Sequence, residues 1–161
     1  DLEVRTNWTS KSITTTDNFR EQFHRDLNTY YHVLFIISSI ERPEEPIGFF
    51  YTTQYNPTDG FTFSTLVMTS DKCLNGCGAE AGLLAYRYLF QHYPLRKIYA
   101  NIYEFNHASI AFARQCGFVE EGLMKAHSFR NGKYYGLYTF ALYREKFEEV
   151  DRQYFCRYKE K

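Results

Sequence analysis

Apolar positions recur along this chain with two different periods, and the alternation between them predicts its elements. Phe19, Phe23 and Leu27 are spaced for one face of a helix, and Thr14-Thr15-Thr16-Asp17 supplies capping residues ahead of them. The first helix is therefore expected to end near Tyr30. From Tyr31 to Ile40 β-branched and aromatic residues crowd together, Arg42-Pro43-Glu44-Glu45-Pro46 interrupts them, and Ile47 to Thr53 resumes the pattern, which is the grammar of a hairpin. Asn56-Pro57-Thr58-Asp59-Gly60 makes the next turn, and Phe61 to Ser70 is a third extended run.

The period then changes. Ala81, Leu84, Ala85, Tyr88 and Leu89 form a helical stripe that Pro94 terminates, and Lys97 to Tyr103 follows as a strand. Asn106 stands where an N-cap belongs, Ala108, Ala111, Phe112 and Cys116 make the next apolar stripe, and Gly117 is placed to end that helix in the left-handed conformation. Two last strands, about Phe118 to Arg130 and Lys133 to Arg144, are joined by Asn131-Gly132, the dipeptide a tight type I′ turn demands. Phe147, Val150, Tyr154, Phe155 and Tyr158 predict an amphipathic helix within residues 145–161, expected to cover the chain's own sheet, with a dimer seam as the alternative. The order is α/β with one βαβ unit, no internal repeat and no low-complexity linker.

Composition narrows the class. A chain of 161 residues with 44% hydrophobic content suits a single domain spanning 1–161 that buries a core without staples. Its 19 basic and 19 acidic residues cancel, so no overall field gathers nucleic acid or an anionic membrane, and neither is expected as a partner. Cys73, Cys77, Cys116 and Cys156 follow no apolar leader and read as reduced thiols of a cytoplasmic protein. No apolar run approaches the roughly 18 residues of a membrane span.

The candidate chemistry centres on Lys72-Cys73-Leu74-Asn75-Gly76-Cys77-Gly78-Ala79-Glu80, between an extended run and a helix. Two glycines opening into a helix let consecutive N–H groups converge on an anion at the positive end of the helix dipole, a phosphate cradle. A plain tight turn is the alternative. No Walker A string occurs, which argues against a nucleotide triphosphatase. Gly76-x-Gly78-x-x-Ala81, with Glu104 further on, imitates a dinucleotide fingerprint, but Asp71 to Asn75 separate strand from glycine and only one βαβ unit is present. Cys73-x-x-x-Cys77 lacks a second pair of ligands, and His24, His32, His92, His107 and His127 are scattered, so no metal is expected. A nucleophile elbow is also absent.

Further motifs choose among these readings. After the loop come Asn106-His107-Ala108-Ser109, Gly117-Phe118-Val119-Glu120-Glu121-Gly122 and Arg130-Asn131-Gly132-Lys133-Tyr134. Over about residues 46 to 144 the chain resembles the GNAT superfamily of acyl-CoA-dependent N-acyltransferases, closest to the branch of ribosomal-protein-alanine and spermidine acetyltransferases. The resemblance implies a mixed, mostly antiparallel twisted sheet flanked by helices, with the βαβ unit at the CoA site. It implies that backbone amides of Asn75, Gly76, Cys77, Gly78 and Ala79 hold the CoA pyrophosphate. It sets the extended backbone of Met68, Thr69 and Ser70 beside the pantetheine arm. Asn106 would hydrogen-bond the pantetheine amides, with Ser109 on the first turn of its helix, and a capping role for Asn106 is compatible with this because its oxygen caps while its nitrogen donates.

The same resemblance frames the chemistry. It implies acetyl-CoA as co-substrate and direct attack on it by a primary amine (a peptide N-terminus, a polyamine or a small-molecule amine), with no covalent enzyme intermediate. Only the neutral amine attacks, and a lysine-like amine has a pKa of about 10.4, so a proton must leave. The backbone N–H of Met68 is the candidate for stabilising charge on the carbonyl oxygen. The tyrosine common in the family seven residues after the asparagine is Ala113 here, the carboxylate of the strand before the loop is about Thr65, and the loop's usual Arg or Gln is Cys73. Tyr103 and Glu104 are the polar candidates left for proton handling, with ordinary strand-end roles as the alternative. A GNAT-like module that binds acyl-CoA without efficient chemistry is the rival function. Asp1-Leu2-Glu3-Val4-Arg5 resembles the segment after the family's first strand and helix, so those two elements are expected to be missing. The chain is expected to act as a monomer or homodimer.

Overall fold

The computed structural model describes residues 15–29, 31–69 and 76–159. The expectations placed on Asp1 to Thr14, Tyr30, Ser70 to Asn75 and the last two residues lie outside them. Helix α1 (Thr16–Thr29) precedes strands β1 (Tyr31–Ser38), β2 (Pro46–Asn56) and β3 (Phe61–Met68). Helix α2 (Cys77–His92), strand β4 (Lys97–Tyr103), helix α3 (His107–Gln115), strands β5 (Val119–Arg130) and β6 (Lys133–Tyr143), and helix α4 (Arg144–Lys159) follow.

The strands form one six-stranded sheet in the order β1-β2-β3-β4-β6-β5. Every neighbouring pair is antiparallel except β3 and β4, which run parallel because α2 carries the chain back across the sheet. This is the mixed, mostly antiparallel sheet with a single βαβ unit that the sequence implies. The Asn131-Gly132 turn has both φ angles positive, at 49° and 77°, as a type I′ turn requires.

The main core lies on the face where Phe50, Ile98, Phe140 and Leu142 meet Leu83, Tyr86, Leu89 and Phe90 of α2, Ile110 and Ala113 of α3, and Phe147 of α4. Two expected stripes need correction. In α2 the buried residues are Gly82, Leu83, Ala85, Tyr86, Leu89 and Phe90, while Leu84 and Tyr88 are exposed. Gly82 allows this rotation: a Cβ there would stand 2.9 Å from Phe112 Cζ, so the bare backbone is what lets α2 and α3 close together. Tyr86 goes inside because Ser64 satisfies its hydroxyl, and burial raises its pKa well above the usual phenol range. In α3 the buried line is Ile110, Ala113 and Cys116, with Phe112 half-buried and Ala108 and Ala111 exposed, since the larger Ile110 outweighs two alanines in choosing the face.

Helix α4 packs on the same core through Phe147, Val150 and Tyr154, as expected of a cover for the chain's own sheet. Arg144 fastens it: the guanidinium donates to the carbonyls of Phe90, Tyr93 and Leu95 at 2.6, 3.0 and 2.8 Å, and Arg87 pairs with Asp151 at 2.9 Å. The three Arg144 bonds satisfy carbonyls at and just beyond the C-terminal end of α2.

Candidate active site

The parallel ladder between β3 and β4 is short. It holds Phe61 against Lys97, Thr62 against Ile98 and Phe63 against Tyr99, and there it stops, although β3 continues to Met68 and β4 to Tyr103. Ser64 Oγ donates to Tyr99 O at 3.2 Å at this point, so a side-chain hydroxyl takes a carbonyl where the next rung would form. Beyond it the two strands diverge and leave a gap in the middle of the sheet.

Backbone direction along β3 determines what faces the gap. Thr69 donates both its N–H and its hydroxyl to Ile47 O, at 2.9 and 3.1 Å, and is thereby tied to the end of β2. Peptide groups alternate along a strand, so the N–H groups of Met68 and Leu66 turn away from β2 and toward the gap. Met68 itself is half-buried opposite Gly48. Ser70 lies outside the described residues.

Helix α2 opens next to this edge. Gly76 precedes it with φ 80° and ψ 3°, a left-handed conformation that suits glycine, and no side chain caps the helix. The N–H groups of Ala79 and Glu80 turn back to Gly76 O at 2.9 and 3.1 Å. The amides of Cys77 and Gly78 therefore stand at the helix mouth, where a helix has no carbonyl of its own to meet them. A Cβ on Gly76 would meet none of the described residues within 4 Å. Asn75 is not among the described residues.

On the opposite side of the gap, Asn106 caps α3. Its Oδ1 accepts the Ser109 N–H at 3.1 Å, which leaves the amide Nδ2 as a donor. The cap alone therefore does not occupy the amide nitrogen. Ala113 is 2% exposed and faces the core, so no polar group replaces the missing tyrosine there. Thr65 is half-buried on the sheet face away from the main core.

The end of β4 carries the two proton-handling candidates. Glu104 is bound to β6: its N–H donates to Gly136 O at 2.9 Å and its Oε2 accepts the Gly136 N–H at 2.7 Å. Tyr103 stacks on Phe105 with centroids 5.2 Å apart and planes 8° from parallel, and its hydroxyl has no hydrogen bond among the described residues. Phe105 meets Tyr135 edge to face at 5.1 Å, and the Arg130 guanidinium lies 4.4 Å from the Phe105 centroid. Phe105 and Tyr135 carry no signal in the sequence, because an aromatic in a chain with 15 tyrosines and 15 phenylalanines reads first as core.

Cys116 is a thiol buried in the core, and burial pushes its pKa up to about 12. Among the described residues no group of three or more His, Cys, Asp or Glu could hold a metal ion, and no helix is long and apolar enough to cross a membrane.

A gap between two parallel strands, a helix mouth on its edge and a capping asparagine across it are the parts an acyl-CoA-dependent acetyltransferase needs. The chain belongs to the GNAT acetyltransferases: the family model described as an acetyltransferase (GNAT) domain matches residues 1–119. That span begins well before residue 46 and stops at Val119, the first residue of β5. No curated protein matches the chain in sequence. Among solved structures, the spermidine N-acetyltransferase from Vibrio cholerae in complex with CoA and spermine is similar, with a TM-score of 0.79, 19% identity, and coverage of 91% of this chain and 85% of that one. The GNAT-family acetyltransferase from Bacillus anthracis aligns with a TM-score of 0.74 at 19% identity, covering 90% of this chain and 84% of its own. A dodecameric structure of the Vibrio cholerae spermidine N-acetyltransferase aligns with a TM-score of 0.73 at 20% identity, over 87% and 81%. At these identities the likeness is one of fold.

The co-substrate of this family is acetyl-CoA, and the residues present fit it. The Cys77 and Gly78 amides at the helix mouth suit a diphosphate, and the gap exposes strand N–H groups of the kind an amide-bearing arm can pair with.

Proposed function

We propose that the chain transfers an acetyl group from acetyl-CoA to a small primary amine by direct attack. The observation that carries this reading is the early end of the β3–β4 ladder, with the mouth of α2 next in the chain order, an arrangement that suits a long, phosphate-headed ligand. Amides of Gly76, Cys77 and Gly78 would grip the diphosphate, with Asn75 and Ala79 completing the turn. The strand at Met68, with Thr69 and Ser70 after it, would run beside the pantetheine, and Asn106 Nδ2 would donate to that arm with Ser109 close by.

Acetyl-CoA supplies an activated thioester whose thiolate is a good leaving group. The Met68 N–H, turned into the gap, would stabilise the charge that builds on the carbonyl oxygen. The Tyr103 hydroxyl would pass the proton between the gap and solvent, and Glu104 would hold β6 in place beside it. With Ala113 buried, no acid is assigned to the thiolate, and a leaving group with a pKa near 8.5, like that of cysteine, does not require one.

Calorimetric titration with CoA, followed by free-thiol release from acetyl-CoA with a panel of primary amines, tests the proposal. Saturable binding and amine-dependent thiol release are expected. Absence of any CoA binding at millimolar excess overturns it, and binding without thiol release for any amine reduces the chain to a CoA-binding module.

A further inference from the structure

The sheet face turned away from helices α2, α3 and α4 holds a cavity of about 500 Å³. Ile98 lies in the main core, so its neighbour Tyr99 projects from the other face, together with its rung partner Phe63 and, two residues before that, Phe61. These three rings make the floor. Phe63 stacks on Tyr99 with centroids 4.9 Å apart, and Phe61 meets both of them edge to face at 6.2 and 5.6 Å. Phe63 against Tyr99 is also the last rung of the β3–β4 ladder, so the floor ends where the gap begins.

Cavity and gap are continuous along this face. Two residues further on each strand, Thr65 and Asn101 project from it on either side of the gap, and Thr139 at the cavity's border donates its hydroxyl to Asn101 Oδ1 at 3.0 Å. Two backbone features shape the rim. Gly122 pairs with Thr139, and a Cβ on it would meet none of the described residues within 4 Å. Gln54 has φ 52° at the irregularity in β2, a strained conformation for a residue with a side chain, of the kind that collects at binding sites.

The lining carries no unpaired charge. Its one ionised residue, Glu121, is bound to Lys97 at 3.0 Å, and Lys97 Nζ lies 4.4 Å from the Tyr99 centroid. Toward the outer end of β4 the Glu104 carboxylate stays negative while it accepts the Gly136 N–H, and the Arg130 guanidinium is positive beside Phe105. Selection is therefore left to the rings, in a cavity of the size and aromatic character that small-molecule sites show.

We infer that this cavity receives the acceptor, and that the acceptor is an amine joined by a short chain to an aromatic ring. The ring packs on Phe61, Phe63 and Tyr99, and the chain passes Asn101 to bring the nitrogen to the gap. There the nitrogen bonds to the acetyl carbon as the carbon–sulfur bond breaks, CoA leaves as its thiolate, and the amine's proton passes to solvent. This rests on the acetyl transfer proposed above and names its substrate class.

The test compares 2-phenylethylamine, n-butylamine and spermidine as acceptors for the full chain with acetyl-CoA, read as free thiol. Phenylethylamine is expected to exceed the other two in kcat/KM by about ten- to a hundred-fold, mostly through KM, as burial of one ring predicts. Raised salt should not shrink that margin. Gly122→Leu fills the cavity without removing a side chain and should erase most of the margin while CoA affinity and butylamine turnover stay near the wild type. Phe63→Leu, which thins the floor instead, should reduce the margin as well and serves if Gly122→Leu does not fold. The inference is overturned if butylamine or spermidine equals phenylethylamine, or if the margin survives in the folded variant. Where turnover is too slow to read, calorimetry of the three amines on the CoA-loaded protein decides, and no preference for the ring overturns it. CoA binding that stays intact in those experiments keeps a failure of this inference distinct from a failure of the enzyme assignment.

Discussion

Glu104 and Gly136 are joined twice, the Glu104 N–H to the Gly136 carbonyl at 2.9 Å and the Gly136 N–H to Glu104 Oε2 at 2.7 Å. The ring they close lies just past the last β4–β6 rung, Tyr103 against Leu137, and it holds the gap's outer strand to β6. Glu104→Gln keeps an oxygen acceptor and should leave stability and the pH profile of thiol release near the wild type. Glu104→Ala orphans a buried N–H and should cost about 1–3 kcal/mol in denaturant unfolding. A collapse of kcat in Glu104→Gln with stability intact would show instead that the carboxylate handles the proton.

Gly117 ends α3 with φ +87°, and a Cβ there would lie 3.1 Å from Val150 Cγ2 and 3.2 Å from Lys146 Cγ. Left-handed backbone alone costs a side-chain-bearing residue about 1–2 kcal/mol. Gly117→Ala should therefore lower stability by about 1–3 kcal/mol while CoA affinity is retained, because the strain falls between α3 and α4 rather than at the gap. Chemical denaturation paired with CoA titration checks both halves.

Gly117, Asn106 and Asn131-Gly132 were legible in the sequence because each is a local rule: a residue type fixes a dihedral angle or a cap regardless of what packs nearby. The buried faces of α2 and α3 were less legible, since periodicity weighs Ala108 and Ala111 like Ile110 and does not register that Gly82 makes room for Phe112. The site divides in the same way. Gly76 and Asn106 announce themselves through backbone chemistry. The pair of hydrogen bonds between Glu104 and Gly136, and the stack of Arg130, Phe105 and Tyr103, depend on residues far apart in the chain that meet only once β4, β5 and β6 are paired.

Cys116 is 3% exposed, and burial raises its pKa to about 12. The thiolate is the nucleophile, so at pH 8 almost none of this side chain is reactive. Alkylation at pH 8 followed by peptide mapping should leave Cys116 unmodified in the native chain and label it only at the rate of unfolding. Labelling of Cys116 at the rate of an exposed thiol would contradict the packing of α3 against the core.

Lys97 has a side chain only 8% exposed, and its Nζ lies 3.0 Å from both carboxylate oxygens of Glu121, whose Oε1 also accepts the Tyr143 hydroxyl. Burial raises the Glu121 pKa, but hydrogen bonds from Tyr143 and Lys97 outweigh it and hold the carboxyl below its ordinary 4.5. Burial works against the charge on Lys97 as well, yet Tyr99 and Glu121 together raise its pKa above 10.5. A depressed carboxyl contributes stability that is present above 4.5 and lost as pH falls through its folded value. A raised ammonium contributes stability that is present below 10.5 and lost as pH climbs past its folded value. Between those limits the contribution of the pair should be flat. Glu121→Gln leaves Lys97 charged and nearly buried, and because Glu121 is partly open to solvent the cost should fall at about 2 kcal/mol, below that of breaking a fully buried pair. Replacing both residues, as Lys97→Met with Glu121→Leu, should recover part of that loss, since no isolated charge then remains. Unfolding free energies of the wild type and Glu121→Gln, measured from pH 3 to 9, should converge only at the acid end. Parallel curves across that whole range would show that this ion pair does not set the acid limit of stability.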